Sequence, residues 1–190
     1  MNFALKIMFA AALTIVSASA ASAQRTAVQI NMLDAANLGT LNTQISFAIA
    51  RHWTATVQGR YNNWSYGSEA EDNAFQNRAR GIALGARYWV WNTYSGWWAS
   101  AQARFEEYNR GGLLRRKSTE EGDAFGAGFS AGYSYMLSKH WNLDFGLGGW
   151  WGVADYRTFA CPRCGRVTGE GRKTFLRPSA DSQISVVFVF

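Results

Sequence analysis

The chain has 190 residues, 19 basic and 13 acidic side chains, and a formal net charge of +6. That length fits one domain. Nine Trp, eight Tyr, twelve Phe and 19 Gly stand beside only two Pro, and beyond Lys6 the only lysines are Lys117, Lys139 and Lys173, which argues against an ordinary solvated surface rich in long charged side chains.

The chain opens with "MNFALKIMFAAALTIVSASAASAQ". Lys6 supplies a positive start, 7–16 is a short apolar run, and Ala21-Ser22-Ala23 is a small-x-small cleavage site. This is the pattern of a secretory signal over 1–23, leaving 24–190 as one mature domain. The apolar run is shorter than the roughly 20 residues of a spanning helix. An exported chain makes nucleic acid an unexpected partner. Its basic balance suits anionic lipid head groups or lipopolysaccharide instead.

From there the dominant period is two, the signature of strands. Eight segments are predicted: 26–34, 41–50, 53–64, 79–91, 97–109, 124–137, 141–156 and 176–190. In "LNTQISFAIA", Leu41, Ile45, Phe47 and Ile49 share one face with Thr43. In "GIALGARYWV", Ile82, Leu84, Ala86 and Tyr88 oppose Gly81, Ala83, Gly85 and Arg87. The last run, "SQISVVFVF", groups Ile184, Val186, Phe188 and Phe190.

The connections alternate in length. "RH", "NTYSG" and "SKH" are short; "SYGSEAEDNAFQNR", "NRGGLLRRKSTEEGD" and "RTFACPRCGRVTGEGRK" are long. Short turns alternating with long loops around an even strand count are the pattern of an outer-membrane barrel, with the short turns periplasmic. Trp53, Trp97 and Trp141 each open a strand, and two share a local motif, "RHW" and "KHW". Each is expected at the periplasmic interface, where Trp and Tyr rings settle.

The polar face carries few charges: Arg60, Arg87, Arg104, Glu106, Asp144 and Asp181. Three of each sign suit a narrow lumen in which charges pair. A soluble eight-stranded barrel needs a solvated outer face instead. The fold expected is therefore all-β: an eight-stranded antiparallel up-and-down barrel of the transmembrane outer-membrane type. The terminal aromatic Phe190 resembles the signal read by the outer-membrane assembly machinery.

The stretches "INMLDAANLG", "RHWTATVQGRYNNW" and "KHWNLDFGLGGWWGVADYRTFACPRCG" resemble a family of uncharacterised outer-membrane proteins, mostly from Bacteroidetes, labelled a domain of unknown function. The resemblance covers essentially all of the mature chain. It implies an eight-stranded barrel and no established activity.

Several residues invite chemistry. Cys161 and Cys164, in "ACPRCGRV", have a spacing compatible with half a zinc site, a redox pair or a local disulfide. Structural zinc needs four ligands, and a redox pair needs a helix start to lower the thiol pKa. A disulfide pinning the tip of the last outer loop fits an oxidising compartment best. No metal or other cofactor is expected. Arg115, Arg116 and Lys117 in one loop, and Arg163, Arg166, Arg172 and Lys173 in the other, form basic clusters suited to anions such as lipopolysaccharide phosphates. Enzymatic activity is not expected: both histidines fall in the short turns, and Glu106 and Asp144 read as lumen ion-pair members. Glycines 126, 128, 132, 146, 148 and 152 leave space that Trp150 and the arginines fill, so an occluded, monomeric barrel is expected.

Overall fold

The computed structural model describes residues 26–36, 39–66, 75–111, 118–160 and 165–190. The expected signal segment 1–23, and Cys161, Cys164, Arg115, Arg116, Lys117 and Arg163, lie outside the described residues.

Period-two alternation builds β1 (Thr26–Asn31), β2 (Leu41–Ala50), β3 (Trp53–Tyr66), β4 (Phe75–Trp89), β5 (Gly96–Gly111), β6 (Thr119–Met136), β7 (Trp141–Phe159), β8 (Val167–Arg177) and β9 (Gln183–Val189). One short helix, α1 (Met32–Ala36), follows β1. Sequence neighbours from β1 to β7 pair antiparallel. β9 pairs with the first part of β7 and with β1, which closes the barrel. β8 pairs with the second part of β7, so β8 and β9 are two halves of the eighth stave. The short turns define the lower end and the long connections the upper end.

The eighth stave is broken by an inward bulge. Gly146 pairs with Gln183 and Trp150 with Arg177, so 147–149 of β7 face the longer stretch 178–182. Pro178 explains the break, because it has no N–H for the ladder. The extra residues turn Asp181 into the lumen, where it is buried. The segment expected as one strand over 176–190 is thus the end of β8, a bulge and β9.

The strands also run further upward than expected. β5 extends to Gly111, β6 starts at Thr119, β7 reaches Phe159 and β8 starts at Val167. Much of what reads as the second and third long loops is paired strand. Above the apolar zone the outward residues become polar too, so alternation disappears from the sequence while the ladder continues.

The outer face is a continuous apolar band. Leu147 is 80% exposed, and Ile49, Phe125, Phe129 and Trp151 are exposed as well. On β6 the outward apolar positions span 125–135, about 33 Å along the strand and about 25 Å after the usual tilt of about 40°. The lower rim is aromatic. Trp53 packs on Tyr88 with centroids 5.1 Å apart, Trp97 on Tyr133 at 5.2 Å, Trp141 on Phe188 at 4.8 Å, and Phe188 on Phe190 at 4.8 Å. The "RHW" and "KHW" repeat has a structural role here. His52 Nδ1 lies 3.0 Å from the Trp89 carbonyl and His140 Nδ1 2.9 Å from the Val189 carbonyl, each tying a turn to the neighbouring strand.

The upper rim carries an arc of charge from β4 to β8. Arg80 pairs in register with Glu107, Glu107 with Asp123, Asp123 with Asp155, and Asp155 with Arg172. The Arg172 guanidinium donates twice to Asp155, at 2.7 and 2.9 Å. That contact holds the Asp155 carboxyl below its ordinary range.

Candidate functional site

The lumen is filled in layers, and its side chains come from the inward positions of each strand. At the lower end Arg87 donates from Nη1 to Asp144 Oδ2 at 2.7 Å, both fully buried. The Arg87 guanidinium lies 4.0 Å from the Trp98 ring centroid and 5.5 Å from that of Trp89. Gly146 makes room for Trp98: a Cβ there would stand 2.5 Å from its ring. Tyr94 closes this end. Its φ of 66° is unusual for a bulky residue. It turns the ring inward, where the hydroxyl donates to the Ser46 carbonyl at 3.1 Å and the Tyr94 carbonyl accepts from Asn142 at 2.6 Å.

The middle layer is small and polar. Thr56, Gln58, Ser100, Gln102, Ser130 and Gln183 leave a space of only about 10 Å³, room for one water at most. Asp181 enters here from the bulge. It accepts from Arg104 Nη1 and from Gln102 Nε2, each at 2.9 Å. Gly128 allows this approach, since a Cβ on it would lie 1.8 Å from Asp181 Oδ2.

Above lies a chamber of about 540 Å³. Arg60, Arg104, Arg110 and Arg177 face it, against Asp34 and Glu106. Arg60 Nε is 3.0 Å from Asp34 Oδ2. Glu106 serves three arginines: Arg104 at 2.5 Å, Arg110 at 3.0 Å and Arg177 at 3.9 Å. Trp150 forms the floor beneath Arg104 and Arg177, with centroid distances of 4.4 and 5.6 Å. Higher still is a vestibule of about 990 Å³ between the upper strands. At that height Glu120 accepts from Lys173 at 2.5 Å and from Tyr108 at 2.8 Å. Burial opposes ionisation of Glu120, but the Lys173 and Tyr108 hydrogen bonds outweigh it and hold its pKa below the ordinary value.

The six charges picked out from sequence all point into the lumen, but not as one network. Arg87 and Asp144 form the lower pair; Arg104, Glu106 and Asp181 form the upper cluster. Arg60 pairs with Asp34 of α1, which sequence reasoning missed, as it missed Arg110 and Arg177. Glu106 and Asp144 belong to different layers, each held by its own arginine. Arg172 and Lys173 are not in a loop: both belong to β8, and their partners are Asp155 and Glu120. Arg166 is exposed beside the β7–β8 connection. Trp53, Trp97, Trp141 and Phe190 sit together on the lower aromatic rim.

Among the described residues the two larger spaces lie in the upper half of the barrel, above the packed lower half. No curated protein matches the chain. A family model described as "Protein of unknown function (DUF3575)" matches residues 7–190, and the chain belongs to that family.

Proposed function

We propose that this protein is a non-enzymatic barrel of the Gram-negative outer membrane, exported by its first 23 residues and acting at the cell surface through its upper end. The observation that carries the reading is the outer face: an apolar band about 25 Å tall with an aromatic rim below and an arc of charge above. Water would not tolerate so large an apolar surface on a monomer. Lipid requires it, and requires that backbone groups pair within a closed sheet.

The packed lower lumen supports a barrel that conducts no solute. The surface role rests on the upper end. Arg78, Arg80, Arg157 and Arg172 face outward just above the band, at the height where lipopolysaccharide phosphates would lie. Arginine suits bidentate phosphate contacts. Phe190, on the lower rim, is the contact offered to the assembly machinery.

The test is gel migration of protein folded in detergent, with and without boiling. A compact band that shifts on heating supports the reading; a protein soluble without detergent and without a shift overturns it. Replacing Arg78, Arg80, Arg157 and Arg172 together by Gln should then weaken binding to lipopolysaccharide while leaving the heat shift intact.

A further inference from the structure

The eighth stave is closed below and open above. β9 pairs with β1, but among the described residues β8 pairs only with β7. β1 ends at Asn31, and the chain turns into α1, which packs against β9 and β2. The wall is therefore interrupted between α1 and the β8 end of the bulge. Leu33 flanks this gap on one side; Leu176 and Pro178 flank it on the other. Leu33 is 41% exposed and Leu176 68%. Leu176 pairs with Trp151, inside the upper part of the apolar band. The same residues line the arginine chamber, so the chamber communicates sideways with the height of the outer leaflet.

The chamber is short of negative charge. Arg80, at the chamber edge, is paired with Glu107; the remaining Arg60, Arg104, Arg110 and Arg177 meet Asp34, Glu106 and the Arg104 partner Asp181, four cations against three anions. The shortage falls on Arg110 and Arg177, which share Glu106 with Arg104. Arg177 stands 3.9 Å from that carboxylate, beyond hydrogen-bonding reach. The Trp150 indole N–H, fully buried in the chamber floor, finds no acceptor among the described residues. A volume of about 540 Å³ is in the range of small-molecule sites.

We infer that the chamber binds the anionic head of a lipid-like amphiphile, with a phosphate or carboxylate on Arg110 and Arg177 and the acyl chain leaving between Leu33 and Leu176. This rests on the membrane reading above. Charge and portal answer each other: a free anion uses the arginines but not the gap, and a neutral lipid uses the gap but not the arginines. The anion completes the pairing that Glu106 leaves unfinished, and the chain stays in an apolar phase.

The test uses full mature protein folded in nonionic detergent and three probes: lysophosphatidic acid, monoacylglycerol and inorganic phosphate. Each variant is first shown to retain the heat-shifted band, which separates failure of this inference from failure of the membrane reading. The expected result is saturable lysophosphatidic acid binding, weakened at least tenfold by Arg177→Gln and further by adding Arg110→Gln. Arg177→Lys should recover part of it. Inorganic phosphate should compete only weakly, and monoacylglycerol should not bind. Equal affinity for monoacylglycerol overturns the anion site. Equal affinity for inorganic phosphate overturns the portal and assigns the chamber to a free anion. Unchanged binding in the double variant overturns the whole proposal. A photoreactive acyl chain should label Leu33, Leu176 and Pro178; labelling spread around the band contradicts the portal.

Discussion

Asp144→Ala isolates the lower plug. Arg87 would be left in a site where its side chain is 4% exposed and its carboxylate partner is gone. Stranding one member of a buried pair costs about 3–5 kcal/mol. The Trp98 ring, 4.0 Å from the guanidinium, offsets about 1–2 kcal/mol of that at most. The expected net loss is therefore about 1–4 kcal/mol. Removing both charges should behave differently. Arg87 Nε and Asp144 Oδ1 find no hydrogen-bond partner among the described residues, so the pair is incompletely satisfied. Arg87→Met combined with Asp144→Val should cost less than Asp144→Ala alone, because no charge is left stranded. The assay is reversible urea unfolding of the folded protein in lipid vesicles, followed by tryptophan emission and the heat-shifted band. A loss below about 1 kcal/mol for Asp144→Ala would refute the plug as a dry, charge-paired layer.

Three further outcomes follow from the same geometry. Gly128→Ala puts a Cβ 1.8 Å from Asp181 Oδ2, so it should cost about 1–3 kcal/mol, and an Asp181→Ala background should absorb most of that loss in a double-mutant cycle. Asp155 and Glu120 have depressed pKa values, so their stabilisation is complete above the unfolded values and is lost as pH falls below about 4. Hydrogen exchange at pH 3 should therefore rise in the upper β7–β8 hairpin while the lower half of β7 stays protected. Deleting Phe190 should lower the amount of assembled protein in cells while leaving refolding in detergent unchanged, as measured by the heat-shifted fraction.

Faces were legible in the sequence because strand geometry is periodic. Ile82, Leu84 and Tyr88 point outward and Arg87 inward as alternation requires. Lengths were less legible. Outside the apolar band both faces of a strand are polar, so the upper halves of β5, β6, β7 and β8 carry no hydropathy signal. Arg110 was within reach of the same logic, since it shares parity with Arg104 and Glu106 on β5. Arg177 needed Pro178 to be read as a strand break. Asp34 had no local signal at all: it meets Arg60 only because α1 packs against β9 and β2 and turns it into the chamber, a long-range event. Asp181 was chosen as a lumen charge, but its approach depends on Gly128 in a distant strand.

The central claim is that the outer face of the barrel contacts lipid. Spin labels placed one at a time along 121–135 of β6, in a Cys161→Ser, Cys164→Ser background and in lipid vesicles, test it most directly. Oxygen accessibility should peak at the odd positions 125–133, fall at the even ones, and give way to a water-soluble relaxant at Asp123 and Glu121. Strong access of the water-soluble relaxant at Phe125 and Phe129 would contradict the account and place that face in water.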